Sequence, residues 1–280
     1  MMVVQKKKRT KRDWDRLLAP FLCGAVRVFK SADPTTSYFG SLPPAFEGFV
    51  WPMNSDGIPL SFLACIDCKD MADFPDMGWL PNHGRLLFFY ETQLQPWGFE
   101  PEHRDSFSVI FVMESQIENE AMLSMPPSGF PDGFILKKAY LDFVPFYDFP
   151  PSESLNAQGL ALSFEEMDFL DEVRHSSPSV MYPLHQLGGY PIPVQRTDMA
   201  VLSQLVSHGI SCGRDPTESE EARISMLEEG ASDWALLFQM DSDEEMDVIW
   251  NDFGRLYFWI RRQDAKDLKF ERAWMIQQTH

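Results

Sequence analysis

Two arginines, Arg85 and Arg255, each stand in the tripeptide Gly-Arg-Leu, at positions 84–86 and 254–256, and each is followed by aromatic residues. Each is also preceded by an apolar run that ends in aspartate, Leu60–Asp67 before the first and Trp234–Asp241 before the second. A guanidinium presents a planar set of donors that suits a carboxylate or a phosphate. If the two stretches pack about a pseudo-twofold axis, Arg85 and Arg255 could face one cleft and grip a small anion, with Asp67 or Asp241 as the acid–base partner. The competing expectation is that Asp67 and Asp241 neutralise the arginines, because a charge near a strand end needs a partner. His185 precedes a Gly-Gly-Tyr-Pro turn and could line a site, or bond to local backbone. Trp97, within Pro96-Trp97-Gly98-Phe99, is an aromatic on a loop. Such residues anchor partners or act as lids on a core.

Other chemistries find less support. Cys65-Ile66-Asp67-Cys68 has C-x-x-C spacing, but it falls in or at the end of a strand, where residues three apart point to opposite faces. No second such pair exists, so no metal site is expected. The acidic run Asp241-Ser-Asp243-Glu244-Glu245 fails the calcium-loop pattern, because Met246 stands where glycine is needed. The six histidines form no metal-binding spacing. The glycine patterns of nucleophile elbows, P-loops and dinucleotide-binding turns are absent, and no cofactor is expected.

The elements that must position these residues follow from hydrophobic pattern. Apolar runs at Ala25–Lys30, Leu60–Asp67, Leu86–Tyr90, Phe107–Met113 and Phe134–Val144, the last ended by Pro145, read as strands. Asp13–Leu22 reads as a short helix and Asp33–Asp56 as ordered loop. Capping boxes at Ser163/Glu166 and Thr217/Glu220 open two helices, with Phe164, Met167, Leu170 and Val173 along the first and Ile224 and Leu227 inward on the second. Another helix opens at Thr197 or Asp198 and closes at Gly209. Strands resume at Trp234–Met240, Arg255–Ile260 and Phe270–Gln277. Strands, then helices, then strands is not the alternation of a parallel sheet. The expected fold is mainly β (α+β): internally duplicated, rolled antiparallel sheets with a few packed helices.

The duplication is read from three elements that recur in order. Phe39-Gly-Ser-Leu-Pro43 answers to Leu187-Gly-Gly-Tyr-Pro191, Leu60–Asp67 to Trp234–Asp241, and Gly84–Phe89 to Gly254–Trp259. The glycine before each arginine is expected to supply unusual backbone angles. Residues 17–280 thus form one domain of two diverged halves, about 17–150 and 151–280, behind a basic, disordered tail over 1–16.

With 42 acidic against 24 basic residues the net charge is −18, and seven of the bases lie in the first sixteen positions. The body would repel a nucleic acid and suit a basic protein partner. The tail reads as a solvated terminus, or as a nuclear-localisation signal. No apolar run is long enough to span a membrane, and no secretory signal opens the chain, so a reducing cytoplasm is expected. The oligomeric state is left open.

Trp51-Pro52, Pro59–Leu63, Ile66-Asp67, Leu80-Pro81 and Gly84–Phe89, with His185–Pro191, Gln195, Leu236–Asp241 and Trp250–Phe258, resemble the YwqG-like family of uncharacterised proteins. The resemblance spans about Tyr38 to Gln277 and implies a rolled, duplicated, mainly-β fold without an established activity. It adds Gln239 to the candidate site: Cys65 stands where the family carries glutamine in the first half, whereas Gln239 keeps it in the second. Similarly, Ser41 stands where a second glycine is usual. The expected function is a non-catalytic protein-binding module, immunity-like in kind; the alternative is an enzyme acting on a small anionic substrate between the halves.

Overall fold

The computed structural model describes residues 9–117, 119, 122–176 and 182–280. A helix, α1 (Lys11–Leu18), follows Thr10, whose hydroxyl accepts from the Asp13 amide while Asp13 bonds back to it. Lys11, Arg12 and Arg16 of the basic stretch therefore lie on a capped helix, which packs Trp14 and Leu17 against Leu155, Leu162 and Leu170. Lys6, Lys7 and Lys8 lie outside the described residues.

Among the described residues ten strands form one sheet, every pairing antiparallel. The first half supplies β1 (Cys23–Ser31), β2 (Tyr38–Phe39), β3 (Ser61–Asp67), β4 (Arg85–Tyr90), β5 (Phe107–Val112) and β6 (Ala139–Asp148). Helices α2 (Ser152–Leu155) and α3 (Phe164–Ser176) follow, then β7 (Gln186–Gly188), α4 (Met199–Val206) and α5 (Glu218–Glu228). The chain closes with β8 (Trp234–Asp241), β9 (Arg255–Arg261), α6 (Arg262–Lys266) and β10 (Trp274–Gln278). The spatial order is β10-β9-β8-β7-β1-β6-β2-β3-β4-β5. It mirrors about the β1–β6 ladder: β2 to β5 run outward on one side as β7 to β10 do on the other. Bulges interrupt the ladders at Phe62/Ala64 and at Leu236/Phe238, and Asp67 pairs with Arg85 as Asp241 pairs with Arg255.

A sheet this wide and this apolar on both faces cannot stay flat, because strands twist and apolar area must leave water. It rolls until its two ends meet. Phe88 of β4 lies 4.9 Å from Phe238 and 5.2 Å from Phe258, and Phe107 of β5 lies 5.3 Å from Trp274 of β10. Residues 96–99 close the seam: the Gln277 amide donates to the Trp97 carbonyl at 2.9 Å, and Trp274 Nε1 to the Gly98 carbonyl at 2.9 Å. Gly98 has φ +78°, and a Cβ there would sit 1.9 Å from the Met275 carbonyl oxygen, so only glycine admits this approach.

Three local expectations are corrected. Pro145 does not end its strand, because β6 runs on to Asp148. The Leu141 amide points away from β1, to Ser37, so strand alternation places Pro145 on that same outer edge, where no neighbour needs its missing N–H. Gly254 does not adopt left-handed angles, although Gly84 does at φ +83°. Gly254 is glycine because a Cβ would sit 2.1 Å from the Gln278 carbonyl oxygen. The α3 stripe is only half buried: Leu170 is in the core, while Phe164 and Val173 are exposed.

Candidate functional site

Leu184 and residues 189–196, which flank β7, lie against β8 and β9 outside the ladders. Gly188 and Gly189 have φ +63° and +66°, and Pro191 and Pro193 carry no N–H. The buried backbone groups of this segment must then be satisfied by side chains; Gln239, Asp241 and Arg255, singled out in the sequence, do this together with Tyr257 and Gln278, which were not. Gln239 donates from Nε2 to the Leu184 carbonyl at 2.6 Å and accepts from the Ile192 amide at 2.9 Å. Asp241 accepts from the Leu184 amide and from Arg255 Nε, both at 2.8 Å. Arg255 Nη1 and the Tyr257 hydroxyl donate to the Ile192 carbonyl, at 2.9 and 2.7 Å. Gln278 Oε1 accepts from the amides of Val194, Gln195 and Arg196.

The first half builds a plainer version. The Asp67 amide donates to Ser37 Oγ at 2.8 Å, as the Asp241 amide donates to His185 Nδ1 at 3.1 Å. Buried Cys65 and Leu87 occupy the ladder positions that Gln239 and Tyr257 hold in the other half. Arg85 is buried with its Nε 3.7 Å from Asp67 Oδ2. Each arginine thus sits in its own half's ion pair.

His185 is enclosed. Its ring lies 4.8 Å from that of Phe39, and its Nε2 is 3.7 Å from Asp243 Oδ2, which in turn holds Lys30 Nζ at 2.8 Å. Because Nδ1 accepts the Asp241 amide, Nε2 carries the proton. Burial holds the imidazole below its ordinary range, and the same contacts hold the Asp243 carboxyl far below its own. Cys65 and Cys68 are buried, and burial pushes the Cys68 thiol up, away from the reactive thiolate. Among the described residues no group of three or more His, Cys, Asp or Glu side chains could hold a metal ion.

Two surface features remain. A groove of about 350 Å³ runs between segment 71–82 and α6, lined by Met71, Met77, Trp79, Leu80, Ala265 and Leu268; neither Arg85 nor Arg255 lines it. The other feature is where the loop at 93–97 meets the loop at 247–253. Gln95 binds the two together, Oε1 accepting from the Asn251 amide at 2.8 Å. Leu94 is 71% exposed and Trp97 37%, and Ile249 and Phe253 are also exposed. Gln95, Asp247, Asn251 and Phe253 all adopt left-handed backbone angles, φ +48° to +56°. Side chains other than glycine rarely do so, and a bulky aromatic least of all. Glu244, Glu245, Asp247 and Asp252 supply carboxylates in and just before the 247–253 loop, Glu245 paired with Lys30 and Asp247 with Lys137. Of these residues the sequence pointed to Trp97 and to the acidic cluster, not to the other apolar side chains. Leu94, Ile249 and Phe253 carry no periodic signal, although Asn-Asp-Phe-Gly at 251–254 marks the turn.

A family described as a domain of unknown function (DUF1963) matches residues 37–278. No curated protein matches the chain.

Proposed function

We propose that the chain, which belongs to this family, is a non-catalytic protein-binding module whose contact surface is the junction of the 93–97 and 247–253 loops. The carrying observation is the run of left-handed non-glycine residues that holds Leu94, Ile249 and Phe253 exposed. Such backbone costs about 1–3 kcal/mol per residue and persists where the surroundings impose it, often at binding sites. Apolar anchors among carboxylates suit a partner that offers apolar side chains amid lysines or arginines. In the same direction, Asp67, Arg85, Gln239, Asp241 and Arg255 are occupied in holding the fold.

The YwqG-like assignment and an immunity-like role belong to this reading. So does the duplication, for which the mirrored strand order and the matching bulges speak. The test is capture from the native extract by wild-type protein and by the Leu94→Asp/Phe253→Asp double variant. The reading expects a stoichiometric basic protein, released at high salt and missing from the variant. Equal capture by both forms, or none by either, would remove it.

A further inference from the structure

Arg27, in the middle of β1, is 2% exposed, and among the described residues neither its Nε nor its Nη1 has a hydrogen-bond partner. Its guanidinium carbon lies 5.1 Å from the ring of Phe146. Burying a cation without a compensating charge is expensive, so such groups are paired or neutralised. The neighbouring charges do not supply the pair. Asp148 is engaged by Arg174 at 3.2 Å, and Asp241 by Arg255 at 2.8 Å. The cluster therefore holds three guanidiniums and two carboxylates, one negative charge short, within a chain whose net charge is −18. Burial also pulls the Arg27 guanidinium down to about 10, with the nearby Asp148 opposing the fall.

A second orphan stands beside it. Gln186 is the cross-strand partner of Arg27, and its Oε1 is buried with no donor, while its Nε2 is committed to the carbonyls of Gly188 and Tyr190. Cross-strand neighbours bring their side chains within about 5 Å. Two kinds of group thus lie side by side with unused hydrogen-bonding capacity, guanidinium donors and an amide acceptor. Val144, the β6 partner of Arg27, is exposed.

We infer that Arg27 and Gln186 form a binding site for a small hydroxy-carboxylate, its carboxylate on the guanidinium and its hydroxyl donating to Gln186 Oε1. The site uses none of the exposed loop residues proposed above for partner binding, so each idea can fail alone.

The probe is glycolate, compared with acetate and with the bulky sulfonate HEPES at equal ionic strength. Glycolate should raise the unfolding midpoint saturably, by about 2–4 °C, acetate by less, and HEPES should add nothing. Arg27→Met should lose the shift, whereas Arg27→Lys, which keeps the charge, should retain part of it. Should Arg27→Met not fold, equilibrium dialysis of radiolabelled glycolate against the wild type decides: one equivalent bound supports the site, and none overturns it. Equal shifts from acetate and glycolate would overturn the role of Gln186. A midpoint indifferent to all three would mean that the cluster holds only water.

Discussion

Arg255 Nε lies 2.8 Å from Asp241 Oδ1, directly across the β8–β9 ladder, and the same arginine reaches past the sheet to the carbonyl of Ile192. One buried cation thus ties two strands to the segment that covers them. Removing it strands the carboxylate of Asp241.

Arg255→Met is expected to destabilise the protein by about 3–5 kcal/mol. Adding Asp241→Asn to that variant should cost less than the sum of the two single changes, because the second mutation removes the uncompensated charge. Urea denaturation of the wild type, the two single variants and the double variant gives the coupling directly. Strict additivity would contradict the pairing.

Gly254→Ala should destabilise by several kcal/mol although the position does not need left-handed angles. The new methyl group would sit 2.1 Å from the Gln278 carbonyl oxygen and force β10 away from the turn. A variant with an unchanged unfolding midpoint would show that the turn can yield.

The neutral state of buried His185 makes stability fall in mild acid. Its folded pKa lies below the ordinary 6.5, so below about that pH the unfolded chain takes up a proton that the folded one refuses. Stability is therefore full above 6.5 and is lost as pH falls through that value. Asp243, also depressed, contributes its loss only below the usual carboxylate range. The unfolding midpoint should drop between pH 7.5 and 5.5, and His185→Gln should flatten that drop.

Phe253 adopts φ +49° while exposed, a backbone that costs an L-residue about 1–2 kcal/mol. Phe253→Gly is expected to raise stability by about 1 kcal/mol and to weaken partner capture in the same protein. A stabilised variant with capture intact would place the contact elsewhere.

The sequence by itself determined the class of fold, most strands within a residue or two, the capping boxes and the correspondence of Asp67/Arg85 with Asp241/Arg255. These follow from local pattern: buried strands read as apolar runs, and a cap is a contact between residues three apart. What the polar residues do was decided only by the tertiary structure. Gln239 and Gln278 are defined by a covering segment that lies dozens of residues away in the chain, and no spacing records which backbone amides they meet. Short β2 and β7 escaped notice because two or three residues carry no period. The orphaned guanidinium of Arg27 was likewise invisible: Ala-Val-Arg-Val-Phe shows only one charge in an otherwise apolar run. Its burial beside Asp148, Arg174, Asp241 and Arg255 exists only once the roll brings four distant segments together, because charge balance is a property of the packed site and not of the string.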